Sequence, residues 1–496
     1  MLGAGFFNVH KRRVAFYAAL ILVLAFAAFA AFFRLDAGGV NSWDEARHGV
    51  NAYEMLKTGN WIVNFYRYKP DYWNLKPPLS FWAIMLDFRL FGTTVLALRF
   101  YAALSMFGTV LLVSRFVFKR YGCVACLVTT ALLACENLFY QFHYGRSGDA
   151  DALFGFLCTL CVLSIFWAQV EKRWFFLSGL SFALAFLDKS WHACTLLAIA
   201  GLFLLASKQL FHLGARIWAG MLACAFAPIA IWAAFRYAAD GTAFFRGMID
   251  RDLLARSSRP LEGHGGDILY YVMITLGKNT VGLLVLAVLC WLVWQAVTHR
   301  HHIGEVERTD LLLFALWIMV PFVFFSIAST KYMWYIIPTM IPLVIVCGVV
   351  CGKAWVHTSS AVARVLAVCL AIVTAITLVC NVHDTIITAL SGPIPPVQQF
   401  LRDPVAADAR GRTAYILDET EDSDWQQNDV YVGEAYADLH CMDGGLAAFV
   451  QDPNAVAIVS ERVYPKQDVS ANGLRILAQK DGYFLLAHSH AVFVVK

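Results

Sequence analysis

Long apolar runs separated by short polar stretches fill the chain from its start to residue 383. They lie near residues 14–33, 94–118, 122–142, 152–170, 217–235, 268–298, 310–328, 333–351 and 361–383. Two shorter runs, near 174–187 and 191–207, complete the set. A spanning helix needs about 20 apolar residues, so the pattern predicts a polytopic α-helical membrane protein with eleven transmembrane helices. Between the first two long runs, Leu79–Phe91 is too short to span and carries Asp87 and Arg89; it is expected to lie at the membrane interface. Val14–Phe33 follows Lys11, Arg12 and Arg13 but has no small-residue cleavage site, and is expected to be an uncleaved first helix.

Parity supports this count. If Leu79–Phe91 does not cross, the clusters Lys11/Arg12/Arg13, Lys119/Arg120, Lys172/Arg173, Lys208/Arg216, Arg300/Arg308 and Lys353/Arg364 all fall on one side. The positive-inside bias makes that side cytoplasmic. After residue 383 the pattern changes to short β-rich runs, Thr413–Leu417, Ala455–Val459, Leu474–Leu477, Tyr483–Leu486 and Val492–Val495, with a helical stretch around Leu446–Val450. The expected organisation is a transmembrane catalytic domain over 1–383 and a small extracytoplasmic α/β domain over 384–496.

Composition agrees, with 59% hydrophobic and 15% charged residues and a net charge of +4. That small value hides a split. Residues 384–496 carry 16 acidic and 8 basic side chains, which leaves 19 acidic and 31 basic for 1–383. The basic excess therefore reports topology and argues against nucleic-acid binding. Twelve of the 13 cysteines lie in the apolar part and only Cys441 in the tail, so no disulfide is available within that tail. Cys123/Cys126 and Cys158/Cys161 read as apolar core residues, not as metal or redox pairs.

With the topology set, unusual polar residues gather on the outer face. Asp44, Glu45, Arg47 and His48 follow the first helix, and Lys76 closes the same loop against Pro77-Pro78. Arg146, Asp149 and Asp151 follow the third helix, Asp188 and Lys189 sit at the hairpin between the two short helices, and His264, Asp267 and Lys331 lie in later outer loops. Each has a plain alternative: a helix cap, a snorkelling lysine, a polar turn. Together they predict an outer-face site in which carboxylates orient or deprotonate an acceptor while cations hold a phosphate. The aromatic first loop suits sugar stacking as well as interface anchoring.

These residues also carry a resemblance. Trp43-Asp44-Glu45-Ala46-Arg47-His48 resembles a D-E-x-R-Y signature, and Lys76-Pro77-Pro78-Leu79-Ser80-Phe81-Trp82 resembles K-P-P-L-x-Y-W. Both are motifs of the GT-C type polyprenyl-phosphate-sugar-dependent glycosyltransferases, in the branch with the lipid A aminoarabinose transferases and bacterial relatives of the protein O-mannosyltransferases. Arg146–Phe156, Phe186–Ser190, His264–Tyr271 and Ser329–Pro338 are weaker matches, and the resemblance covers roughly residues 14–350.

The resemblance implies an inverting transfer, outside the membrane, of a sugar from a polyprenyl-phosphate donor to an envelope lipid or polysaccharide. A protein acceptor is the nearest alternative, and a lipid or sugar transporter the alternative of another class. By the same likeness Asp44 is the base or acceptor-orienting group, with Asp151 and Glu45 as further acids. Arg47, Lys76, Lys189 and Lys331 bind the donor phosphate, and His48, Asp149, His264, Tyr271 and Tyr335 contact substrate. No cofactor is expected to be required. The sequence departs from the pattern at Leu75, where relatives carry an acid, at His48 in place of tyrosine, and at Gly266 or Asp267 in place of proline. Leu75 weakens a metal site in that loop; Asp149-Ala150-Asp151 keeps a divalent cation as an alternative.

Overall fold

The protein is described from a computed structural model covering residues 2–140, 143–278, 282, 305–357, 373, 375–377, 379–388, 391–403, 409–417, 427–464, 469 and 473–489. The membrane part contains α1 (Leu2–Phe32), α2 (Asp44–Thr58), the strands β1 (Phe65–Tyr66) and β2 (Lys69–Pro70), and α3 (Leu79–Phe91). It continues through α4 (Val95–Tyr121), α5 (Cys123–Cys135), α6 (Asp151–Ala168), α7 (Trp174–Lys189), α8 (Cys194–Ala206), α9 (Ala215–Asp240), α10 (Glu305–Ile327) and α11 (Ile337–His357).

Among the described residues, seven helical stretches are long and apolar enough to cross a membrane. The chain is a multi-pass membrane protein. One stretch, Trp174–Ala206, comprises α7, the tight turn Ser190–Ala193 and α8. Lys172 and Gln169, in the short connection from α6 into α7, bond to Gln209 beyond the end of α8 at 2.9 and 2.6 Å, so α7 and α8 run antiparallel. At 16 residues, α7 is about 24 Å long, short of the roughly 30 Å hydrocarbon thickness. Its end, Lys189, is buried in the bundle. The run at 122–142 is α-helical only to Cys135, and Asn137–Tyr140 tightens into a 3-10 turn. Most of the runs at 268–298 and 361–383 lies outside the described residues, so the count of eleven spans is not tested.

Polar side chains satisfy the helix ends on the side of the bundle that faces the C-terminal domain. The Arg146 guanidinium donates to the Ala30 and Phe33 carbonyls at 2.8 and 3.0 Å, satisfying the C-terminus of α1. Thr94 caps α4 by accepting from the Ala97 N–H. The opposite end of α4 is tied to α10 by Arg120 and Asp310, at 2.6 and 2.8 Å.

The tail forms α12 (Pro396–Arg402), β3 (Thr413–Leu417), α13 (Gln427–Ala437), β4 (His440–Cys441), α14 (Gly445–Gln451), β5 (Val456–Ser460), β6 (Leu474–Lys480) and β7 (Tyr483–His488). Its sheet has the order β4-β3-β5-β7-β6, with β3 parallel to β4 and β5 and the other pairs antiparallel. Residues 379–388 are helical, so the globular part begins beyond residue 384. The strand expected at Val492–Val495 lies outside the described residues.

This domain sits directly on the segment between α1 and α3. Tyr431 of α13 packs so close to Gly49 of α2 that a Cβ there would lie 2.6 Å from its ring. The β1–β2 hairpin turns through Arg67 (φ 54°) and Tyr68 (φ 58°), the left-handed pair that a tight hairpin turn demands. Its tip is held by Asp443, which accepts from Arg67 at 2.5 Å, and by His440, stacked 3.6 Å from Tyr68.

Candidate active site

A cavity of about 400 Å³ opens where one set of ends of these elements meets. Asp44 enters it from the first turn of α2 and Lys76 from the segment that Pro77-Pro78 stiffens before α3. Lys189 arrives from the vertex between α7 and α8, and His143 from the loop before α6. Asp252, on the π-helix Met248–Ala255, and Arg256 just beyond it also line the cavity; π-turns are rare and concentrate at functional sites. Glu262, His264, Trp334 and Tyr335 complete the wall.

The backbone is strained where it delivers these groups. Trp43 (φ 70°), His143 (φ 69°), Ser190 (φ 45°) and Glu262 (φ 56°) all line the cavity in the left-handed region. For bulky residues such conformations cost about 1–3 kcal/mol each and persist only where surrounding contacts impose them.

Each cation in the wall already has an acid. Lys76 Nζ lies 3.4 Å from Asp44 Oδ2, Lys189 pairs with buried Asp151, and Arg256 lies 3.2 Å from Asp252 and 3.9 Å from Glu262. The Lys189 ammonium also stands 5.0 Å from the Tyr335 ring centroid. Cations neutralised in this way are poised to exchange an internal carboxylate for an anionic ligand without leaving an uncompensated buried charge.

Burial alone would raise the Asp44 pKa, but Lys76, followed by His143 and His48, holds it well below the usual carboxylate range. Lys76 is opposed by burial yet raised, chiefly by Asp44. His143 is likewise raised against burial by Asp149, 3.5 Å away, and Asp149 is lowered in return. Burial, with Lys76, pushes His48 down to about 4. The His48 ring is thus neutral near pH 7, with Nδ1–H donating to the Asp44 carbonyl at 2.5 Å.

The structure brings Asp44, Lys76, Lys189, His264 and Tyr335 to the cavity wall. It places Asp149 and Asp151 one contact behind, on His143 and Lys189, and His48 beneath Asp44. Four expected contacts are not at the wall, and each has a physical reason. Glu45 is buried against Arg99, at 2.6 and 3.1 Å, and accepts from the Gly148 N–H. Arg47 forms a bidentate pair with buried Asp71, both bonds at 2.8 Å, its guanidinium 3.7 Å from the Tyr66 ring centroid. Tyr271 donates to the Tyr332 carbonyl, and Lys331 donates to the Ser326 and Ala328 carbonyls at the end of α10. Sequence reasoning missed His143, Asp252, Arg256 and Glu262. The alternating acids and arginines from Arg246 to Arg259 were the available signal.

The family described as dolichyl-phosphate-mannose-protein mannosyltransferase matches residues 75–233. The undecaprenyl phosphate-alpha-4-amino-4-deoxy-L-arabinose arabinosyl transferase of Shewanella sediminis is 28% identical over 317 residues, covering 61% of this chain and 54% of that protein. Its counterpart from Pseudomonas savastanoi is 26% identical, covering 64% and 59%. The chain therefore spans little more than half the length of these curated relatives. Among solved structures, ArnT from Cupriavidus metallidurans in the apo state aligns over 98% of this chain and 100% of its own, at 17% identity and a TM-score of 0.66. The same protein bound to undecaprenyl phosphate gives 0.65 at 16% identity, covering 94% and 97%. An Archaeoglobus fulgidus oligosaccharyltransferase gives 0.54 at 11%, covering 90% and 69%. The chain shares the GT-C fold of these glycosyltransferases and resembles the aminoarabinose and O-mannosyl transferases.

Proposed function

We propose that the chain is an inverting glycosyltransferase of the cell inner membrane, moving a sugar from a polyprenyl-phosphate donor to an envelope lipid or polysaccharide on the extracytoplasmic face. The observation that carries this reading is the cavity wall itself, where Lys76, Lys189 and Arg256 converge from three separate segments, each with an exchangeable carboxylate partner. Such a wall suits a phosphate that arrives bearing charge and leaves bearing more. The undecaprenyl phosphate bound to ArnT supports the donor class, and the basic clusters on the opposite side support the orientation.

In this reading the acceptor oxygen attacks the anomeric carbon opposite the phosphate. The bond from that carbon to the phosphate oxygen breaks, and its electron pair leaves with polyprenyl phosphate, stabilised by the three cations. Asp44 is ionised at neutral pH and is a weak base. It orients an acceptor hydroxyl and takes its proton once the new bond is largely formed. An acceptor that is itself a phosphate needs no base, and positioning then carries more of the rate.

No cofactor is proposed as required. One ligand atom each from Asp44, His143 and Asp149 lie within 4.8 Å of one another. A hard cation held there would need further oxygens, which donor phosphate could supply. Full transfer after chelation is the expected outcome; a loss restored by magnesium or manganese would assign the cation to this triad.

Purified protein given polyprenyl-phosphate sugars and extracted envelope acceptors should transfer sugar and release polyprenyl phosphate. Movement of lipid or sugar across proteoliposomes without bond cleavage would sink the enzyme reading in favour of a transporter. The mannosyltransferase family match favours a second acceptor class, and sugar recovered on protein instead of on lipid or polysaccharide would establish it.

A further inference from the structure

Asp44 opens α2 with Trp43 at the N-cap position, so the backbone conformation of Trp43 sets where the first turn of α2, and with it Asp44, is placed. That residue, Trp43, has φ 70° and ψ −128°, a conformation a bulky side chain does not hold unaided. The contacts that impose it come from the far end of the chain. Gln427, the first residue of α13, is buried, and its Oε1 accepts from the Trp43 N–H at 2.9 Å and from the Ser42 hydroxyl at 3.0 Å.

A second glutamine holds the residues just upstream. The Val40 N–H donates to Gln398 Oε1 at 2.9 Å, and Gln398 Nε2 donates to the Val40 carbonyl at 3.1 Å, a two-bond match like a rung of a sheet. The Gly39 N–H donates to the Pro393 carbonyl. On the other side of the turn, Glu45 accepts from Asn41 and from Arg99. The loop that delivers Asp44 is therefore clamped between α4 and the C-terminal domain, and Gln427 is the contact nearest to Asp44.

We propose that Gln427 is a positioning residue for transfer: by accepting from Ser42 and Trp43 it fixes the turn that aims Asp44 at the acceptor, so the C-terminal domain completes the active site. This rests on the assignment of Asp44 as the acceptor-orienting group. The chemistry Gln427 must supply is a single acceptor atom able to take two donors, and a glutamate carboxylate retains it whereas a leucine of similar bulk does not.

The test uses the full-length protein with polyprenyl-phosphate sugars and envelope acceptors extracted from the native cells, measuring kcat and apparent KM for both substrates. Gln427→Leu should lower kcat by roughly 10- to 100-fold, the penalty of a displacement of about 1 Å at a reacting group, with both KM values within about twofold of wild type. Gln427→Glu should recover kcat to within roughly threefold. In an Asp44→Asn background, Gln427→Leu should produce no further loss.

Wild-type kcat in Gln427→Leu would overturn the proposal, as would equal losses in the Leu and Glu variants, or a loss confined to KM. Thermal melting in detergent separates misfolding from misplacement, since Gln427→Leu is expected to melt close to Gln427→Glu. Full turnover in Asp44→Asn alone would instead remove the assignment of Asp44. A dead Asp44→Asn with an unaffected Gln427→Leu removes only the role of Gln427.

Discussion

Asp44 and Glu54 stand near opposite ends of α2, and their surroundings drive them in opposite directions. Asp44 meets Lys76 and His143, which outweigh its burial and keep it ionised. Glu54 meets another acid: it is buried, accepts from the Tyr68 N–H at 2.8 Å, and faces Glu434 of α13. Burial pushes Glu54 up to about 8, and Glu434 is raised by burial and by Glu54 itself. The neighbouring cation Arg67 is engaged by Asp443. One helix thus carries a charged carboxylate into the cavity and a buried acid, facing a second acid, into the domain interface. Helix position does not decide the difference; what the neighbouring segments bring to each end does.

The comparison breaks most visibly at its charged end. Asp44→Asn should cut transfer by roughly 10²- to 10⁴-fold while the protein keeps its melting temperature, measured as sugar transferred per minute. Next, Arg256→Lys keeps the charge but loses the planar fork between Asp252 and Glu262, and should raise the donor KM by roughly tenfold in the same assay.

The other end responds to pH. Because folding raises the Glu54 pKa from 4.5 to about 8, the folded state favours the protonated form. The contribution is complete below the unfolded value and is lost as pH rises through the folded one. Thermal melting should therefore fall between about pH 5 and pH 8.5. Glu434→Gln, which removes one ionisable partner, should flatten that slope and melt about 2–4 °C higher than wild type at pH 8. The smallest effect belongs to Lys331→Met. Since Lys331 donates to the carbonyls that end α10, transfer should change by less than about threefold while the melting temperature drops.

Much of the frame was legible because membrane helices follow from local composition. A short helix occupies Leu79–Phe91 as the apolar run predicts, and the strand Thr413–Leu417 has its expected bounds. Asp44 stood out as part of an acid pair following the first apolar run, and Lys76 because Pro77-Pro78 fix it at the close of the same loop. Partnership was not legible. Nothing local to Glu45 or Arg47 says that Arg99 and Asp71 will engage them, and nothing near Arg256 says that it will line the same cavity as Lys76. His143 was hidden for the same reason, since it acts through Asp149 and through its stacking 3.7 Å from Trp334. Such pairings join segments far apart in sequence and depend on the packing of whole helices.

The clamp on residues 39–43 also sets an order of events during synthesis. The loop bearing Asp44 is synthesised well before its partners Gln398 and Gln427, which are 358 and 384 residues away from the backbone groups they bond. A chain still on the ribosome carries its reactive carboxylate on an unbraced turn. Braced geometry arrives only when the domain carrying those glutamines has been delivered and folded, so chains truncated or stalled before it would hold Asp44 on a turn without that brace.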